Sequence, residues 1–270
     1  MNSWLIRYGE LALKGKNRHL FEKKLINNMK SFLRNNKLNH TKILKPRGRI
    51  IIFSDDDCSI LKNVFGLVSI SPAIECKAEI KDICETIEKY FLKKIKENFR
   101  VTTKRIDKRI ELRSNFVDRE IGAFIVEKTN KKVKLKNFES EIGIELVNKK
   151  AYIFNKRIKT FGGLPLGIEG EVYTLIEDES SLLTSWLIMR RGCNIIPIAF
   201  KKYDINLLNK YNNQNTELKI IKSLKELDNK KALIVNDTLK SLKNYEFKGL
   251  ILRPLIAYSK EEIKEKLSTL

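Results

Sequence analysis

An α/β fold with an α+β first half is predicted by two features of this 270-residue sequence. One is the order in which apolar runs of period two and period 3.6 alternate. The other is a Gly/Pro-rich break, FGGLPLGIEG at 161–170, after which that alternation changes character. Before the break, residues 1–75 read strand, helix, strand, strand, helix, strand, an order that is ferredoxin-like in pattern. After it, a strand, a helix and a strand follow one another as a parallel, right-handed unit.

Each element has its own reason. SWLIRY at 3–8 is the opening strand. Asn17 is placed to cap a helix in which Leu20, Phe21, Leu25, Met29, Phe32 and Leu33 recur every three to four residues. TKILKPRGRIIIFS is two strands joined by the turn Pro46-Arg47-Gly48, CSILKNVFG is a short helix stopping at Gly66, and LVSISPAIECK is a strand. A second unit, 76–165, opens with a helix marked by Ile80, Ile83, Ile87, Phe91 and Ile95. Strand FRVTTKRID follows, then helix SNFVDREIGAFIVEKT capped by Ser114, then a hairpin of EIGIELV and KAYIFNKRI across Asn148-Lys149. In the third, 166–270, EVYTLI and NIIPIAF flank the helix SSLLTSWLIMRRG, which ends at Gly192. KALIVND and GLILRPL are further strands and KEEIKEKL is a closing helix, whereas YNNQNTELKIIKSLKELDNK has only weak apolar periodicity.

Charge narrows the function. The formal net charge is +21. Residues 1–169 hold 37 Lys/Arg against 20 Asp/Glu, and residues 170–270 hold 17 against 13. A lysine-rich proteome would spread the excess evenly, so its concentration in the first two-thirds favours a local surface for a polyanion. No apolar run reaches the roughly 20 residues that cross a bilayer and the N-terminus lacks a signal-peptide pattern, so a soluble, cytoplasmic protein is expected, with no membrane partner. Cys58, Cys76, Cys84 and Cys193 show neither CxxC spacing nor a neighbouring histidine, which indicates no metal site and no disulfide framework.

Within the basic portion, Lys14-Gly15-Lys16-Asn17-Arg18 crowds the start of the first helix, where cations add to the positive end of the helix dipole. An anion on the backbone N–H groups would remove that cost, and a solvated turn would leave the lysines pointing away; the residues leave both readings open. Further cations accumulate at Lys104, Arg105, Lys108, Arg109 and Arg113, and at Lys131, Lys132, Lys134 and Lys136. His19 and His40 are the only histidines and neither has a triad partner nearby in sequence.

Four stretches, RYGELALKGKNR at 7–18, VFGLVSISPA at 64–73, DREIGAFI at 118–125 and FGGLPLG at 161–167, resemble the tRNA 4-thiouridine synthetase (ThiI) family. The resemblance covers the first 170 residues and continues more weakly to the end. It implies a ferredoxin-like domain at 1–75, a THUMP domain at 76–165 and a Rossmann-like PP-loop-type domain at 166–270. It also implies a homodimer, and joint recognition of the tRNA acceptor stem and 3′ CCA end by the first two domains. Phosphate-positioning contacts are then expected at Arg7, Lys14, Lys16, Asn17, Arg18, Arg47 and Arg49, and at Lys104, Arg105, Arg109 and Arg113. Contacts of this kind read shape and backbone, with little sequence information.

The third domain departs from the family pattern. The ATP loop of the family reads SGGxDS between a strand and a helix, and the corresponding IEDESSL places Glu177 and Asp178 where the two glycines belong, keeping Ser181. Carboxylates there repel a polyphosphate and block close backbone approach, so ATP binding is expected to be lost. Glu177, Asp178 and Glu179 could in principle hold Mg²⁺, but the preferred reading is a set of first-turn acids at a helix N-terminus, which needs no ligand. KALIVNDTL keeps Asp237 but has Asn236 for a glycine, and GLILRPLIAYSKEEIKE matches well. The segment carrying the sulfur-transferring cysteine has no counterpart, and Cys193 does not match it. The expectation is a truncated, degenerate PP-loop domain on a tRNA-binding protein without its own catalytic residues or cofactor. Two alternatives are a subunit of a divided tRNA sulfurtransferase, with another chain supplying the ATP chemistry, and a protein-interaction scaffold.

Overall fold

The computed structural model describes residues 2–9, 15–46, 48–212 and 216–270. The elements are β1 (Asn2–Tyr8), α1 (Arg18–Asn35), β2 (Lys42–Leu44), β3 (Ile50–Phe53), β4 (Leu67–Lys77), α2 (Ile80–Tyr90), β5 (Asn98–Arg105), α3 (Ser114–Thr129), β6 (Lys132–Val133), β7 (Ser140–Val147), β8 (Lys150–Phe154) and β9 (Ile158–Lys159). They continue with β10 (Glu171–Leu175), α4 (Glu179–Arg190), β11 (Asn194–Ala199), α5 (Asn206–Asn209), β12 (Lys219–Ile220), β13 (Leu233–Ile234), β14 (Ile251–Leu252) and α6 (Lys260–Ser268). Two compact units result, and they do not follow the chain in simple blocks. The first comprises 1–8, 37–62 and 68–159; the second comprises 9–36, 63–67 and 160–270.

The first unit is built on one sheet, ordered β2-β3-β1-β4-β8-β7-β5-β6, with β9 paired to β4. Strands of the predicted ferredoxin-like and THUMP segments therefore share a single ladder, joined where β4 pairs antiparallel with β8. One face of its distal half is covered by α2 and α3, whose Ile83, Ile87, Val117, Ile121 and Ile125 pack on Val101, Ile142, Ile144, Leu146 and Ile153. Full burial of each such side chain contributes about 1.5–3 kcal/mol. The other face carries Leu5, Ile51, Phe53, Ala73, Val147, Tyr152 and Phe154 as a second core. Asn148 and Lys149 both take positive φ, the geometry of a two-residue hairpin turn of the type that matches strand twist. Gly143 lies opposite Phe154 in the β7–β8 register, and a Cβ there would meet the phenyl ring at 2.3 Å, so glycine makes the space the ring occupies.

The second unit holds a parallel five-stranded sheet in the order β12-β11-β10-β13-β14. Numbered along the chain this is the Rossmann-like order 3-2-1-4-5, with the strand order switching direction between β10 and β13 while all five strands stay parallel. Phe65, Phe161, Trp186 and Tyr211 form an aromatic cluster with ring centroids 5.2–6.0 Å apart, tying residues 63–67 and 160–163 to α4. Gly163 (φ +79) runs so close to the end of α4 that a Cβ would lie 2.1 Å from Arg190 O, which explains the second glycine of FGGLPLG.

Several local expectations are corrected. Ser114 is the first residue of α3, with Arg113 in the N-cap position and no side-chain capping bond. Asn17 does occupy the N-cap of α1, but its side chain makes no capping bond either; a 3-10 turn, Gly15–Asn17, leads into the helix instead. The CSILKN segment is 3-10 rather than α-helical. Strands β6, β9 and β12, two residues each, were not separable in the sequence. No helix among the described residues is long and apolar enough to cross a membrane.

Candidate nucleic-acid interface and nucleotide crevice

In the first unit the strand β1 carries Arg7 inward. The residue is 6 % exposed; its Nε donates to Glu145 Oε1 at 2.7 Å, and Nη1 donates to Ser71 Oγ at 3.0 Å and Ser69 Oγ at 3.4 Å. Its Cζ stands 4.6 Å from the centre of the Phe154 ring. Arg49, which follows the turn at Gly48, donates from Nε to the other oxygen, Glu145 Oε2, at 2.5 Å. Burial alone would push the Glu145 carboxyl up; the two guanidiniums outweigh it and hold the group below the ordinary glutamate range. Burial also lowers Arg7, against the raising effect of Glu145. Arg7, expected as a phosphate contact, is thus placed as a buried ion-pair partner of Glu145, and Arg49 shares that pair.

The THUMP-side cations divide. Lys104 is exposed on β5, in register with Glu145 on β7. Arg105 and Arg113 line one open cavity of about 580 Å³ at the start of α3, together with Ser114, Asn115, Phe116 and Arg119. Phe116 is 41 % exposed and Arg119 sits over it, 5.6 Å from ring centre to Cζ. An arginine-lined hollow with an exposed ring offers charge for phosphate and a surface for stacking. Arg119 was missed in the sequence; its spacing of three from Phe116 on a helix was the available signal. Arg109 instead clasps Asp107 with two bonds of 2.9 Å, pulling that carboxyl down to about 2, so its charge is answered locally. Arg47 lies outside the described residues.

In the second unit, Lys16 and Asn17 are exposed in the turn before α1, and Arg18 pairs with Glu22 at 2.7 Å. His19 Nδ1 lies 3.0 Å from Lys16 O. Lys14 lies outside the described residues.

The crevice at the carboxyl ends of β10 and β13 is where an open α/β sheet takes its ligand. Here it is occupied by the chain itself. Asp178 caps α4: its Oδ1 accepts from Ser181 N at 3.2 Å, while Ser181 Oγ accepts from Glu177 N at 3.1 Å and Asp178 N at 3.4 Å. Asp178 Oδ1 also accepts from Ser180 Oγ at 2.7 Å and Asn236 Nδ2 at 2.9 Å. Burial would raise this carboxyl, but the hydrogen bonds prevail and lower it. Lys243 Nζ reaches Glu177 Oε2 at 2.8 Å. Asp237, 1 % exposed, accepts from Tyr245 Oη at 2.7 Å and Arg253 Nε at 3.0 Å. Lys243 and Tyr245 were not singled out in the sequence, since nothing in their spacing from Glu177 or Asp237 marks the contact.

Among the described residues no group of three or more His, Cys, Asp or Glu side chains is arranged to hold a metal. All four cysteines are unpaired, and burial pushes the Cys193 thiol up, away from the thiolate form a nucleophile needs.

The ThiI ferredoxin-like domain family matches residues 3–71 and the THUMP domain family residues 77–155. A probable tRNA sulfurtransferase of Thermococcus kodakarensis is 36 % identical over 208 residues, covering 73 % of this chain and 55 % of that protein. Another, from a Thermoanaerobacter species, is 31 % identical over 277 residues, covering 97 % of this chain and 70 % of that one. The chain spans about half the length of most such relatives. The crystal structure of PH1313 from Pyrococcus horikoshii superposes with a TM-score of 0.89 at 34 % identity, covering 100 % of this chain and 99 % of that one. A 4-thiouridine synthetase solved in complex with RNA and ATP shares the fold, with a TM-score of 0.78 at 20 % identity, covering 100 % of this chain and 84 % of that one. With a shared sheet for its ferredoxin-like and THUMP segments and a Rossmann-like parallel sheet after them, the chain belongs to the ThiI, or tRNA sulfurtransferase, family.

Proposed function

We propose that this chain binds tRNA by the acceptor stem and 3′ CCA end and does not by itself carry out ATP-dependent thiolation. Family membership and the net charge of +17 over residues 1–169 support the tRNA half of the reading. Its contacts are Lys14, Lys16, Asn17 and Arg47 with Lys104, Arg105 and Arg113, joined by Arg119; Arg18, Arg49 and Arg109 contribute less because Glu22, Glu145 and Asp107 answer their charge.

The crevice between β10 and β13 carries the second half. A phosphate cradle needs unspent backbone N–H groups and a positive field. The amides of Glu177, Asp178 and Ser181 are bonded to Ser181 Oγ and Asp178 Oδ1, and Lys243 and Arg253 are paired with Glu177 and Asp237. The residues present do not fit ATP, so no chemical step is assigned through it. A homodimer belongs to the same reading. A divided sulfurtransferase, in which another chain brings the ATP chemistry, is the second reading, favoured by the family membership.

Affinity for whole tRNA, for tRNA lacking CCA and for a random RNA duplex, measured across a salt series, tests the first half; the expected order is tRNA first, and equal weak binding to all three overturns it in favour of a scaffold. Equilibrium dialysis with ATP tests the second; no retention is expected, and micromolar retention overturns it. Sedimentation velocity reads the dimer.

A further inference from the structure

Glu145 joins parts of the first unit that a flat sheet would hold apart. From β7 to β1 is three strand spacings, and to β3 four, roughly 14 Å and 19 Å at about 4.8 Å per strand. Yet both oxygens of this one carboxylate are bonded, Oε1 to Arg7 on β1 and Oε2 to Arg49 at the start of β3. The sheet therefore curls toward this face, and its inner core of Leu5, Ile51, Phe53, Tyr152 and Phe154 is what the curl encloses. Arg7 spends Nε on Glu145 and Nη1 on the serines of β4, and its Nη2 is buried with no partner. A guanidinium held inward with an unsatisfied nitrogen costs stability. Exposed cations flank the joint. Lys104 is the register partner of Glu145, and Arg157 stands 5.6 Å over the same Phe154 ring that Arg7 faces.

We infer that Glu145, acting through Arg7 and Arg49, is a positioning residue for RNA: within the first unit it sets the angle between the ferredoxin-like strands, with exposed Lys42 and Lys45, and the THUMP strands, with exposed Lys104 and Arg157, and so the spacing of these cations along a phosphate backbone. This rests on the tRNA reading above and deepens it. Electrostatics gives the test its sign. Glu145→Gln removes a negative charge from a polyanion binder, so a role limited to charge predicts equal or tighter binding; the positioning role predicts weaker binding despite the added charge.

Two readouts are measured on the full chain. The first is the distance distribution, by pulsed electron resonance, between spin labels on unnatural amino acids at the exposed Lys42 and Glu127. The second is tRNA affinity across a salt series, with Glu246→Gln, a 79 % exposed acid in the other unit, as the charge-matched control. For Glu145→Gln the distribution is expected to broaden, affinity to fall at least about tenfold, and the salt slope to shrink by about one or more, while the control binds as well as the parent. An unchanged distribution overturns the inference, and so does a shifted one with unchanged tRNA affinity. If the parent prefers no RNA while the labels respond, the geometric role stands and the tRNA reading fails. Should Glu145→Gln not fold, Arg49→Lys, which keeps the charge and loses the directed Nε bond, is put through the same two measurements with the same criteria.

Discussion

The concave face of the first unit and the crevice of the second are both polar networks built around buried carboxylates, and they differ in stoichiometry. In the first, Arg7 and Arg49 converge on Glu145 with Arg157 close by, so positive charge is left over. In the second, Glu177 is answered by Lys243 and Asp237 by Arg253, while Asp178 is consumed by a helix end and an asparagine. Similar ingredients leave one region with a surplus for an outside anion and the other closed on itself. On the proposed reading, a binding surface and a filled pocket differ here in the count of charges and in whether the backbone amides remain unspent.

The sharpest way to break this contrast is Glu145→Ala, which strands two guanidiniums around a vacated site. A loss of about 3–5 kcal/mol in urea unfolding is expected; a loss under about 1 kcal/mol would mean the triad is not what holds the curled sheet. Next is Arg253→Ala, which takes one charged donor from Asp237 but leaves Tyr245, for an expected cost of about 1.5–3 kcal/mol. Asp178→Ala removes a cap, costing about 1 kcal/mol, and is expected to leave ATP unbound because no glycine cradle is created. Gain of nucleotide binding by that variant would show that Asp178 alone had excluded it. Changing Arg105, Arg113 and Arg119 together to alanine leaves stability nearly unchanged and lowers the salt slope of tRNA binding by about one for each phosphate no longer neutralised; an unaltered slope removes the cavity from the interface.

Acid sharpens the comparison from the other side. Glu145 and Asp178 are both held below the ordinary carboxylate range in the folded protein. Their contribution is therefore fully present above the unfolded value of about 4 and is lost as pH falls through the folded values. Thermal midpoints taken downward from about pH 5 should drop for the parent, and less steeply for Glu145→Gln. A parallel descent would detach Glu145 from acid stability.

Much of the fold was legible because it depends on local periodicity. The strand LVSISPAIECK falls on β4, and the alternation around 171–199 gives the parallel β10–α4–β11 unit. Hydrophobic spacing also placed Leu25, Met29, Phe32 and Leu33 on the buried face of α1. Two-residue strands such as β12 carry no period to read; they exist only because a neighbouring strand offers hydrogen bonds, as β11 does. Helix ends were read less well, since Ser114 is an ordinary capping residue type whose side chain was not used as one.

The sequence by itself determined the order of elements, the uneven charge and the acids Glu177 and Asp178 ahead of α4, because each is a property of residues adjacent in the chain. Only the tertiary structure decided that Arg7 turns inward to a glutamate 138 positions away, that Arg119 joins Arg105 and Arg113, and that Lys243 closes on Glu177. Those outcomes depend on sheet curvature and loop closure, which bring together groups that no spacing rule connects, and burial then fixes which charges remain for a partner.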